Sequence, residues 1–142
     1  MKRTFMTDGS RTTGASTGPQ HIEREFEPDP NSARHARQFV LESGWSDNEE
    51  TNLRLATIVS EIVTNAILHA RTPFRVSVSL NGAAIRVDVS DASTEMPMRR
   101  PYDLSEVTGR GLHIVDRLSD KWGVSKLPQG KTVWFELAEA AP

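Results

Sequence analysis

The sequence predicts an α+β fold of two layers, a mostly antiparallel sheet with helices packed on one face. Three observations predict it. Phe74, Val76, Val78 and Leu80 alternate with polar residues, and after Asn81-Gly82 the alternation resumes with Ile85, Val87 and Val89, the pattern of a β-hairpin. Two stretches upstream, 32–43 and 46–70, carry apolar residues at helical spacing. A third helical run, Leu112 to Leu118, is followed by a second pair of strand-like segments, Trp122–Leu127 and Thr132–Leu137. Helices and hairpins in that order stack as one helical layer on one sheet.

Taken along the chain, residues 1–20 are rich in Ser, Thr and Gly and hold only Phe5 and Met6 as large apolar groups apart from Met1. Such a segment buries too little surface to offset its ordering entropy, so a disordered tail is expected. The folded domain is expected over 21–138, with 139–142 a short C-terminal tail. His21–Glu27 reads as an edge strand, broken by Pro28 and Pro30. Asp29 or Asn31 can cap the first helix, whose apolar face is Ala33, Ala36, Phe39 and Val40, with Gly44 after its end. Ser46 or Asp47 starts the second helix, which runs to about Ala70 and ends at Thr72-Pro73. Residues 92–108 lose all periodicity and read as an irregular loop. Pro128-Gln129-Gly130-Lys131 reads as the turn of the last hairpin, and Trp45, Trp122 and Trp134 as core residues.

Composition narrows the function. The 142 residues suffice for one domain with its own core. A net charge of −2 gives no basic surplus, so direct nucleic-acid binding and an anionic membrane partner are not expected. Cysteine is absent, which removes disulfides, thiolate chemistry and cysteine-based zinc sites. No apolar run approaches the ~20 residues of a membrane span, and the N-terminal residues lack a secretory apolar stretch, so a cytoplasmic location is expected.

The second helix carries the chemical signal. Leu55, Ile58, Val59, Ile62, Val63, Ala66 and Ile67 form its apolar stripe, and Glu61, Asn65 and His69 recur at i, i+4 spacing beside it. A carboxylate and a carboxamide one turn apart offer oxygens to a hard cation, and magnesium takes one or two such protein ligands with phosphate and water. The same row could be a solvated face. Asp91 closes the hairpin, either as a ligand-facing carboxylate or as a turn-initiating Asp. Gly109-Arg110-Gly111 precedes a helical run and could present backbone N–H groups to phosphate, with Arg110 adding a donor fork; a plain tight turn and a surface charge fit it too.

Taken together, Ile58-Val59-Ser60-Glu61-Ile62-Val63-Thr64-Asn65-Ala66-Ile67-Leu68-His69-Ala70, Val87-Asp88-Val89-Ser90-Asp91, Thr108-Gly109-Arg110-Gly111-Leu112-His113-Ile114-Val115 and Gly130-Lys131-Thr132-Val133-Trp134 resemble, in order, the N-box, G1 box, G2 box and final strand of the GHKL (histidine-kinase-like) ATPase superfamily, in its small anti-sigma-factor serine/threonine kinase branch. The resemblance spans about 21–138. It implies a Bergerat-type fold and a site for ATP, or ADP, with Mg²⁺. It implies that Asn65 holds Mg²⁺ against the phosphates and that Glu61 is the general base. Asp91 would accept from the adenine amino group, Thr132 would support adenine directly or through water, and Gly109, Arg110 and Gly111 would meet phosphate. Residues 92–108 would form a short lid. Asp91 is followed by Ala92-Ser93-Thr94 where the superfamily pattern has glycines, and Pro97 and Pro101 stiffen the lid. The implied partners are a sigma factor and an anti-anti-sigma-like substrate protein, with a homodimer through the helical layer or a sheet edge. A nucleotide-gated interaction module without kinase turnover is the alternative, and a degenerate fold that only binds protein is a third.

Overall fold

A computed structural model describes residues 21–43, 46–93 and 107–138, with backbone only for 107–112. The expected tails, Gly44-Trp45 and most of the expected lid lie outside the described residues. The elements are β1 (His21–Phe26), α1 (Asn31–Leu41), α2 (Glu49–Asn65), β2 (Phe74–Asn81), β3 (Ala84–Asp91), α3 (Val107–Leu118), β4 (Lys121–Leu127) and β5 (Gly130–Ala138), with a π-helical turn at Ala66–Ala70 continuing α2.

Among the described residues the five strands form one sheet in the order β1-β2-β3-β5-β4, and every pairing is antiparallel. The alternation seen in the sequence sets the faces. Val76, Val78, Ile85, Val87, Val89, Val133, Phe135 and Leu137 are buried on one face. Against it lie Ala36 and Val40 of α1, Leu55, Ile58, Val59, Ile62 and Val63 of α2, and Val115 of α3. α2 packs between α1 and α3 and also touches β3 and β5. By length and hydropathy Glu49–Ala70 would qualify as a membrane span, which the sequence reading did not expect. Its apolar stripe is instead the centre of this core.

Local chemistry explains the boundaries. The N-cap of α1 is Pro30, not Asp29 or Asn31, and no side chain caps it; Asp29, one residue earlier, accepts from the Asn31 N–H at Oδ1 (2.8 Å). α2 is capped by Asn48, not by Ser46 or Asp47: Asn48 Oδ1 accepts from the Thr51 N–H (2.9 Å), while Ser46 Oγ accepts from the Asn48 N–H (3.0 Å). The π-helical turn ends on Arg71, whose N–H bonds back to the Ala66 carbonyl (3.1 Å) and whose φ is +60°. The first hairpin closes through two residues, Gly82-Ala83. Of these two, only Gly82 has positive φ (+66°), the sign pattern of a type II′ turn. The second hairpin also turns in two residues, Pro128-Gln129, so Gly130 and Lys131 belong to the strand and not the turn.

The other sheet face carries no described helix, and most of its residues are polar. There Trp134 is half-buried beneath Arg86, whose guanidinium lies 4.2 Å from the ring centroid, so it is not a core residue. Burial opposes the charge of Arg86, but hydrogen bonds and attraction to Asp88 and Glu136 outweigh it and hold the guanidinium above its ordinary pKa. Trp122, half-buried on the helix-facing side, donates from Nε1 to Asp116 Oδ1 on α3 (2.9 Å).

Candidate functional site

α2 hands the chain to β2 at one end of the sheet, and β3 finishes at that same end, with Phe74 paired to Asp91. The junction is tied by the Ala92 N–H donating to Thr72 Oγ1 (3.1 Å). The π-helical turn that continues α2 therefore meets the end of β3, and the last residue of α2 and the last of β3 each bring a buried polar side chain.

Asn65 is the first. It is 8% exposed and follows the buried Ile62 and Val63. Among the described residues its Oδ1 is the one buried side-chain nitrogen or oxygen with no hydrogen-bond partner. Buried polar atoms are nearly always paired, and leaving one unpaired costs about 1–3 kcal/mol. An orphaned oxygen at a convergence of elements is a place built for an external donor or a cation. Glu61, one turn earlier on the same side of α2, is half-buried, and His69 is exposed.

Asp91 is the second. The buried row Ile85, Val87, Val89 ends on it, so its carboxylate faces the helical layer. Its Oδ1 accepts from the Ser93 N–H (2.8 Å) and from Lys131 Nζ (3.1 Å). Lys131 is its direct cross-strand partner on β5, and both side chains are nearly sealed, 3% exposed for Asp91 and 8% for Lys131. Gly130 makes the approach of β5 feasible, because a Cβ there would overlap the Asp91 carbonyl oxygen.

The structure separates two residues that the resemblance placed together. Thr132 pairs with Ser90 on the opposite face of the sheet, their hydroxyls 2.7 Å apart, and the β5 side chain that meets Asp91 is Lys131. Lys131, which the composition of 128–131 assigns to a turn, lies in β5. The signal was present in its period-2 relation to Val133, Phe135 and Leu137. Gly109, Arg110 and Gly111 lie within the first half of α3, which begins at Val107 and not near Leu112. α3 packs beside α2, and the side chains of 107–112 lie outside the described residues.

The donor set suits a magnesium–phosphate group. Among the described residues no cluster of three His, Asp or Glu side chains could hold a metal. The protein's share at Asn65 would be a single oxygen, and magnesium accepts that low number when phosphates and water complete its shell.

Residues 26–137 match the histidine kinase-like ATPase domain family, and the chain belongs to it. The fold is shared with a crystal structure of the RsbU and RsbW domains of Rv1364c from Mycobacterium tuberculosis, with a TM-score of 0.67 at 18% identity. That likeness covers 86% of this chain and 33% of the other, so this chain spans about a third of that protein's length. Comparison with curated proteins returned no match.

Proposed function

We propose that this domain binds Mg·ATP at the end of the sheet where α2 and β3 converge, and that it is an anti-sigma-factor-type serine/threonine kinase acting on an anti-anti-sigma partner. The observation that carries the reading is the buried, unpaired Oδ1 of Asn65 at the end of α2, together with the buried carboxylate of Asp91 at the end of β3. Asn65 would hold the metal, which supplies charge neutralisation on the phosphates. Asp91 would accept from the adenine amino group through Oδ2, the oxygen left free of hydrogen bonds among the described residues. Glu61, half-buried one turn from Asn65, would accept the proton of the attacking hydroxyl. Phosphoryl transfer relies on positioning and charge stabilisation, so this short roster of side chains is adequate. The shared fold with a chain described by its RsbW domain supports the regulatory assignment. A sigma factor as second partner, a homodimer and a cytoplasmic location belong to the same proposal.

The test is calorimetric titration with ATP, with and without Mg²⁺, followed by transfer of labelled γ-phosphate to a candidate anti-anti-sigma protein. Magnesium-dependent binding is expected, with transfer that Glu61→Gln abolishes while binding persists. Absence of binding would overturn the reading. Binding without transfer would instead make the domain a nucleotide-gated interaction module, the reading favoured by Ala92-Ser93 standing where flexible glycines are expected.

A further inference from the structure

The Asp91–Lys131 pair is unfinished in a way that a structural ion pair is not. Burying two charges is costly unless the remaining lone pairs and protons also find partners. The protein builds such a satisfied cluster on the other sheet face, where Arg86 bonds both oxygens of Asp88 and one of Glu136. At the site the opposite holds. Asp91 Oδ1 takes two hydrogen bonds and Oδ2 takes none among the described residues. The Lys131 ammonium carries three N–H donors and, among the described residues, has one partner, Asp91 Oδ1. With side chains 3% and 8% exposed, both groups have little contact with bulk water, and Oδ2, which is not among the fully buried unpartnered atoms, keeps a small opening to it. They stand at the sheet end that also holds the orphaned Oδ1 of Asn65.

We infer that Lys131 is a second reader of the nucleotide base, so that Asp91 and Lys131 together recognise the adenine amino group and the neighbouring ring nitrogen N1 as a donor–acceptor pair. The inference rests on the proposed nucleotide site and adds a specificity-determining residue to it. Adenine presents an N–H donor beside an unprotonated ring nitrogen, which matches a carboxylate oxygen beside an ammonium. Hypoxanthine reverses the order, setting a carbonyl against the carboxylate and an N–H against the ammonium. The register fixes the two side chains as direct partners across β3 and β5, so the protein cannot exchange their positions to suit the reversed edge.

The test uses the full chain and compares ATP with 1-deaza-ATP, in which N1 is replaced by C–H and the amino group is kept. Titration calorimetry in Mg²⁺ should show wild type binding 1-deaza-ATP about tenfold or more weakly, the worth of a hydrogen bond to a charged group. Lys131→Met should bind ATP with that same loss and no longer separate the two nucleotides. Circular dichroism checks its fold, since Asp91 is left without its counter-charge. If it does not fold, the Asp91→Asn/Lys131→Met double variant, free of buried charge, should bind both nucleotides alike. Equal binding of the two nucleotides by wild type, or discrimination that survives in Lys131→Met, would overturn the role of Lys131 and leave the nucleotide site standing. Failure of wild type to bind either nucleotide would overturn the site and this role with it.

Discussion

Asn65→Leu should make the protein more stable and unable to hold Mg·ATP. Asparagine and leucine have the same branched shape and heavy-atom count, so the buried position next to Ile62, Val63 and Ala66 is filled without a cavity. Removing the unpaired buried Oδ1 relieves about 1–3 kcal/mol of desolvation, and leucine adds a few tenths of a kcal/mol in helix propensity. After allowance for imperfect packing of the two methyls the net gain is about 1–2 kcal/mol, or roughly 3–6 °C in Tm for a domain of this size. Urea unfolding and calorimetry of the nucleotide-free protein measure the gain, and titration with Mg·ATP measures the loss. A gain in stability with loss of binding is the signature of a polar atom kept for function. A loss of more than about 1 kcal/mol would show that Oδ1 is satisfied in solution, and the energetic argument for a ligand at Asn65 would fail. Unchanged Mg·ATP binding would refute its role outright.

Two other substitutions test how the fold holds the site. Gly130→Ala should cost about 2–4 kcal/mol and loosen β3–β5 pairing, because the new Cβ meets the backbone of Asp91 and Ala92; Gly82→Ala, with nothing within 4 Å and only φ +66° to strain it, should cost about 1 kcal/mol. Equal costs in denaturant titrations would show that the Gly130 approach is not tight. Asn48→Ala should cost about 1 kcal/mol by removing the cap on the Thr51 N–H, with nucleotide affinity unchanged. A stability indistinguishable from wild type would place the cap elsewhere.

Much of this was legible from periodicity. The apolar stripe of α2 and the alternation of β2 and β3 bury the expected side chains, Leu80 and Ile67 only partly, and in the row at the edge of that stripe it is Asn65 that the structure buries. What escaped was decided by tertiary contact. Pro128-Gln129-Gly130-Lys131 has the composition of a turn, yet Gly130 is needed for the close passage of β5 against Asp91, and that passage draws Lys131 into the sheet. Trp134 looks like a core residue by size and strand context. Its ring lies on the polar face because its neighbours Val133 and Phe135 face inward, and Gly123 across the sheet leaves room for it. The start of α3 was misplaced because Gly109 and Gly111 each lower helix propensity by about 1 kcal/mol, and residue type alone argues for a turn there.

The Asp91–Lys131 contact has a kinetic consequence. The two residues are neighbours in space but 40 positions apart in the chain, with α3 and β4 between them. Closing a segment of that length costs entropy before any contact rewards it, whereas the β2–β3 hairpin that carries Asp91 is local and quick to form. The half of the proposed base site on β3 can thus exist early, while the half on β5 arrives only when the sheet is complete. A molecule gripping both halves recognises the finished protein and no earlier species, so it would prolong the lifetime of the folded state without hastening its formation.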